Sequence, residues 1–85
     1  MLSTPGGGCE EFDTDYSDND LRSIGNVDSW HECQEYCKKD VQCKYWSYDD
    51  RGDGNCYLKT SDSGRKRLVG VISGPKTCRG RKQWP

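Results

Sequence analysis

Apolar and polar positions change period several times along this chain, and each change marks an element. Phe12, Thr14 and Tyr16 alternate with acidic residues, which is the pattern of a strand with one half-buried face, expected here at a sheet edge. Ser17 to Asp20 has turn chemistry. Leu21, Ser23 and Ile24-Gly25-Asn26-Val27 then read as a second, irregular extended segment. The period next becomes helical. Ser29 followed three residues later by Glu32 is a capping box, and the helix it opens runs to about Lys39. Trp30, Cys33 and Cys37 recur at i, i+3 and i+7 as one apolar stripe, leaving Glu32, Gln34, Glu35, Lys38 and Lys39 for water. Cys33 and Cys37 share that face with parallel Cβ directions, so they are poorly placed to bond each other and should staple the helix to two different segments.

Beyond Asp40-Val41-Gln42 the chain becomes aromatic. Cys43 to Tyr48 reads as a strand with Tyr45 and Ser47 on one face and Trp46 and Tyr48 on the other. The Asp/Gly-dense run from Asp49 to Asn55 is a loop, after which Cys56-Tyr57-Leu58-Lys59 resumes as a strand, making a hairpin with a long tip. A polar stretch from Thr60 to Arg67 precedes Leu68-Val69-Gly70-Val71-Ile72, the most β-branched run and the expected central strand, which Gly74-Pro75 ends. One helix packed on a short antiparallel β-sheet is an α+β architecture. No internal repeat is visible.

Composition tightens this picture. With 85 residues, 31% of them hydrophobic, the chain is one domain with a thin core, burying about 60% of its unfolded surface. Cys9, Cys33, Cys37, Cys43, Cys56 and Cys78 are an even set in a short chain, as in modules that replace missing core with disulfides, and they imply an oxidising compartment. Zinc is not expected: the intervals of 23, 3, 5, 12 and 21 residues with a single histidine do not supply paired ligands. No cofactor is expected either. Met1 to Gly8 has neither the basic nor the apolar part of a secretion signal, so residues 1–8 read as a linker or expression remnant and the chain as a module of a longer secreted protein. No stretch approaches the ~18 apolar residues of a membrane span, and no N-x-S/T acceptor is present.

The net charge of -1 conceals a polarity. Residues 1–55 hold 5 Lys/Arg against 13 Asp/Glu, net -8, while residues 56–85 hold 8 Lys/Arg against one Asp, net +7. Oppositely charged strands that pair in an antiparallel sheet account for this internally, at ~0.2–1 kcal/mol per pair. A basic patch that meets an anionic partner accounts for it as well.

Candidate chemistry is mostly of the binding kind. His31 is the only histidine and lies in the first turn of the helix, and with six paired cysteines no thiolate remains, so no catalytic residues are expected. Arg51-Gly52-Asp53 spells an integrin-recognition tripeptide at the hairpin tip, although Gly and Asp are also ordinary turn residues. The same loop is a poor calcium site, with Arg51 at a ligand position and Thr60 where a bidentate Glu belongs. Trp30, Trp46 and Tyr48 are core candidates; Tyr57, Tyr45 or Tyr16 is free to form a stacking surface for a sugar or an anchor for a protein; Trp84 lies in the tail. Arg65-Lys66-Arg67 is a basic triplet in the polar stretch, with Lys59, Lys76, Arg79, Arg81 and Lys82 in the same half. It reads either as a solvated loop or, if clustered, as a site for sulfate or carboxylate groups of a glycan.

The cysteine frame carries a resemblance. Cys9, a helix with Cys33 and Cys37, Cys43 before Tyr45-Trp46-Ser47-Tyr48, then Cys56-Tyr57-Leu58-Lys59 and a closing Ser73-Gly74-Pro75-Lys76-Thr77-Cys78 together resemble the PAN/apple domain family. With Asp15-Tyr16, the wording is most similar to the tandem apple repeats of micronemal adhesins in coccidian parasites such as Eimeria. The resemblance implies a PAN/apple domain over residues 9–78, followed by a basic tail or linker at 79–85. It implies nested disulfides, Cys9 with Cys78, Cys33 with Cys56 and Cys37 with Cys43. It also implies a secreted adhesive module, routed through micronemes, that binds a host-cell protein or glycan receptor or a partner adhesin during attachment and invasion, beside neighbouring apple repeats. Lys59, Arg65, Lys66, Arg67 and Tyr57 are the candidate ligand-binding residues; nucleic acid and membrane insertion are not expected. The alternative is a structural spacer repeat, or an apple domain of a plasma-type protease or growth factor that docks protein and heparin.

Overall fold

The computed structural model describes residues 9–77. Cys78, the tail cations Arg79, Arg81 and Lys82, Trp84 and the segment 1–8 lie outside the described residues. In chain order the elements are β1 (Glu11–Tyr16), β2 (Asp20–Ile24), α1 (Trp30–Lys39), β3 (Tyr45–Asp49), β4 (Asn55–Lys59) and β5 (Arg65–Pro75). The strands form one sheet in the order β1-β5-β3-β4-β2, with every neighbouring pair antiparallel. Only β3–β4 is a simple hairpin between adjacent strands, and β1 and β2 end on opposite edges.

The helix starts where the capping box places it. The Glu32 backbone N–H donates to Ser29 Oγ at 3.3 Å and the Asp28 N–H donates to the Glu32 carboxylate at 3.0 Å, satisfying donors that the first turn leaves open. Its buried stripe is Cys33 and Cys37, with Trp30 half-buried beside them. Cys33 is bonded to Cys56 in β4 and Cys37 to Cys43 just before β3, each with Cα atoms 5.3 Å apart, so two staples hold the helix on the middle of the sheet. Cys9 is also disulfide-bonded.

Alternation along β3 divides the sheet into two faces. Trp46 and Tyr48 point to the helix and meet Leu58 and Cys56 of β4, forming the core with Val27, Cys33, Cys37 and Cys43. The Trp30 and Trp46 rings stack at 5.6 Å, and Trp46 Nε1 donates to the Pro75 carbonyl at 2.8 Å. Gly74 makes this fit possible, because a Cβ there would stand 2.8 Å from the Trp46 ring. Gly54 (φ +83°) is demanded more strictly. A Cβ would lie 2.2 Å from the Val27 carbonyl oxygen, which is also the acceptor of the Tyr48 hydroxyl at 2.5 Å.

The alternation expected of β1 fails at one residue. Phe12 pairs with Ile72 but Thr14 pairs with Arg67, so Asp13 alone stands opposite four residues of β5. Asp13 adopts φ 55° and its carboxylate accepts the Gly70 N–H at 3.1 Å. This bulge re-aims the strand. Phe12, expected on the half-buried face, is 59% exposed, and Tyr16, expected as a possible exposed aromatic, is buried. One further expectation changes: Arg65-Lys66-Arg67 is not in a loop but opens β5. Leu68 to Ile72 lie in an interior strand as expected, paired with β1 and β3, although only Val71 of the run is fully buried, since Leu68 to Gly70 belong to the bulge and Val69 points to water.

Candidate binding cleft

The bulge has a consequence for the second face of the sheet. It carries the end of β1 and the start of β5 across that face as a two-stranded ribbon. Tyr16 reaches the Tyr45 ring edge-on at 5.7 Å, and its N–H donates to Ser47 Oγ at 3.3 Å. Ser47 and Ser73, both fully buried, share a hydrogen bond at 2.6 Å, and Ser73 Oγ donates to the Thr14 carbonyl at 2.7 Å. Ser47 and Ser73 are thus the polar contact on which the ribbon rests.

Beside this contact lies a cleft of about 230 Å³. Tyr57 of β4 and Val71 of β5 contribute its rings and apolar atoms together with Leu68 from the bulge; Asp15 and Ser17 come from the ribbon, Asp20 from β2, Asp49 and Arg51 from the hairpin. Two ion pairs organise the polar part. Arg51 grips Asp49 through Nε and Nη2, each 2.9 Å from a carboxylate oxygen, and its backbone N–H donates to the same group. These hydrogen bonds hold the Asp49 carboxyl below its ordinary range, and Asp49 in turn raises the guanidinium. On the opposite side, Lys59 is only 3% exposed; its ammonium is bonded to Asp20 and lies 5.7 Å from the centre of the Tyr57 ring. Both cations of the cleft therefore already have a carboxylate partner.

Of the candidates, the structure brings Tyr57 and Lys59 together in this cleft and leaves the triplet outside it. Arg65 lies over the Tyr16 ring at 5.3 Å and is bonded to Asp62 at 2.8 Å, with Glu11 at 3.5 Å. Burial and the hydrogen bond to Glu11 push the Tyr16 phenol well above its usual range, and Glu11 raises Arg65. Lys66 and Arg67, both exposed, stand opposite Asp15 and Thr14 of β1. The Arg-Gly-Asp tripeptide is at the hairpin tip, but Arg51 is turned onto Asp49 while Asp53 is exposed. Sequence reasoning missed Asp15, Asp20, Asp49 and Arg51 as cleft residues. The only local signal was the Asp-x-Arg spacing of Asp49 and Arg51; the others meet through strand order.

A protein-family model described as PAN domain matches residues 14–59. No curated protein matches the chain. Among solved structures, the chain is similar to a solution structure of the two N-terminal apple domains of Toxoplasma gondii microneme protein 4. That similarity has a TM-score of 0.67 and 24% identity over 80% of this chain and 44% of the other, so the chain spans less than half of that two-domain structure and the likeness is one of fold.

Proposed function

The chain belongs to the PAN domain family, whose domains are binding modules for protein or carbohydrate, and from that membership we propose that it is an adhesive module that takes its ligand at the Tyr57 cleft. The parent is a secreted protein of the micronemal adhesin kind, akin to microneme protein 5 of Eimeria, acting in attachment to and invasion of host cells. The observation that carries this reading is the chemistry of the cleft: a half-buried aromatic ring ringed by hydrogen-bonding side chains whose charges are already matched. An incoming sulfate or carboxylate meets cations whose charge Asp49 and Asp20 already offset, so it must compete with those carboxylates for Arg51 and Lys59. A protein segment or a neutral sugar need not. Tyr57 supplies the stacking surface and Asp15, Ser17 and Asp20 supply the polar contacts.

A glycan array run beside a pull-down from host-cell membranes tests this, with wild type and Tyr57→Ala compared. The expected result is binding by the wild type that falls at least tenfold in the variant. Wild-type binding that Tyr57→Ala leaves intact would remove the cleft from the function.

A further inference from the structure

Outside the cleft, large exposed apolar side chains occupy both edges of the sheet. At the β2 edge a groove of about 420 Å³ runs between β2 and the end of α1. Leu58 and the half-buried Ile24 form its inner side, with Tyr36 (40% exposed) and Val41 (87% exposed) as its wall and lip. Its charged rim is Lys39 together with Arg22, which Asp40 meets at 3.1 Å, leaving a surplus of positive charge. At the β1 edge stands Phe12, 59% exposed because the Asp13 bulge turns it to water. Its chain neighbours are Glu10, Glu11 and Asp13, of which Glu11 is met by Arg65, Asp13 accepts the Gly70 N–H and Glu10 has one carboxylate oxygen buried.

We propose that a second copy of this chain seats Phe12 in the groove between β2 and α1, so that copies associate head to tail. The two surfaces match in kind: one protruding ring with acids around it, and one apolar groove with a basic rim. They cannot satisfy each other within one molecule, because β1 and β2 are the two ends of a five-stranded sheet, four strand spacings or about 19 Å apart. The contact is therefore heterologous and leaves a free ring at one end and a free groove at the other. A contact built on one ring and one groove belongs with the small, weak class of interfaces, so association depends on concentration.

Sedimentation equilibrium of the full chain over a wide concentration range is the test, with Phe12→Glu and Val41→Glu as variants. The wild type should rise in mean mass past the dimer, and each variant alone should stay monomeric. An equimolar mixture of the two variants should form a dimer and nothing larger, since one keeps the groove and the other keeps the ring. Circular dichroism checks that both fold; should either fail, Phe12→Ser and Val41→Ser replace them at the same exposed positions. A wild type that is monomeric throughout overturns the proposal. So does a Phe12→Glu variant that still self-associates, or a mixture that stays monomeric while the wild type associates, which would hand the groove to another occupant.

Discussion

Two kinds of titrating residue tie the stability of this small protein to pH. Asp49 is held below its ordinary range by Arg51, so the stability that the pair contributes is fully present above ~3.9, the unfolded carboxyl value, and is lost as pH falls through the depressed folded value. Tyr16 and Tyr48 are displaced the other way, both chiefly by burial, with Glu11 adding to Tyr16 and nearby carboxylates led by Asp50 adding to Tyr48. Their contribution is present below ~10 and is lost as pH rises through the folded values. Thermal melts from acid to alkali should therefore show Asp49→Asn with a smaller loss of stability toward pH 3 than the wild type. In alkali, tyrosinate absorbance should show two phenols ionising only as the chain unfolds. Equal acid sensitivity in wild type and Asp49→Asn would show that the pair contributes nothing there.

At the level of elements, the helix depends on its staples. In chain-entropy terms a bond closing the loop from Cys33 to Cys56 is worth about 3.5 kcal/mol and one from Cys37 to Cys43 about 2.4 kcal/mol, a large part of the ~5–15 kcal/mol that holds a domain of this size together. Cys33→Ser with Cys56→Ser should free the helix and abolish cooperative melting at 37 °C, whereas Ser29→Ala should cost only about 1 kcal/mol through the lost cap. Calorimetry of the two variants separates these sizes. Pairing of the acidic β1 with the basic start of β5 is the corresponding element-scale fact for charge. If Arg65, Lys66 and Arg67 serve to balance Glu11 and Asp15, the wild type should pass a heparin column unretained at physiological salt. The triple serine variant should then melt a few degrees lower. Retention that the triple variant abolishes would instead make the triplet a glycosaminoglycan site.

For the molecule as a whole, the charge polarity of the chain becomes contact between its two halves. The acidic first strand lies against the basic start of the last, Lys59 of the second half is neutralised by Asp20 of the first, and the cleft forms where this pair and the local Arg51–Asp49 pair flank Tyr57. Much of this framework was legible in advance. The helix with its cap and cysteine stripe, the aromatic hairpin, the two faces of Tyr45-Trp46-Ser47-Tyr48 and the edge position of the first strand all follow from patterns within single segments. Tyr57 and Lys59 were legible as residues of interest, but not as neighbours of Asp15, Asp20 and Arg51.

The sequence by itself determined the α+β class and the helix with its two inward cysteines, because periodicity, capping and residue inventory are local properties of a chain. Tertiary structure alone decided that Phe12 faces water while Tyr16 is buried, that the basic triplet is a paired strand, and that a cleft opens beside Tyr57. The irregularity at Asp13, which turns to φ 55° where it alone faces four residues of β5, changes which side of the strand faces inward, and an alternating pattern cannot announce it. The carboxylates that neutralise Lys59 and surround Tyr57 arrive from strands that are neighbours only once the sheet has been ordered, and no spacing within a segment encodes that order.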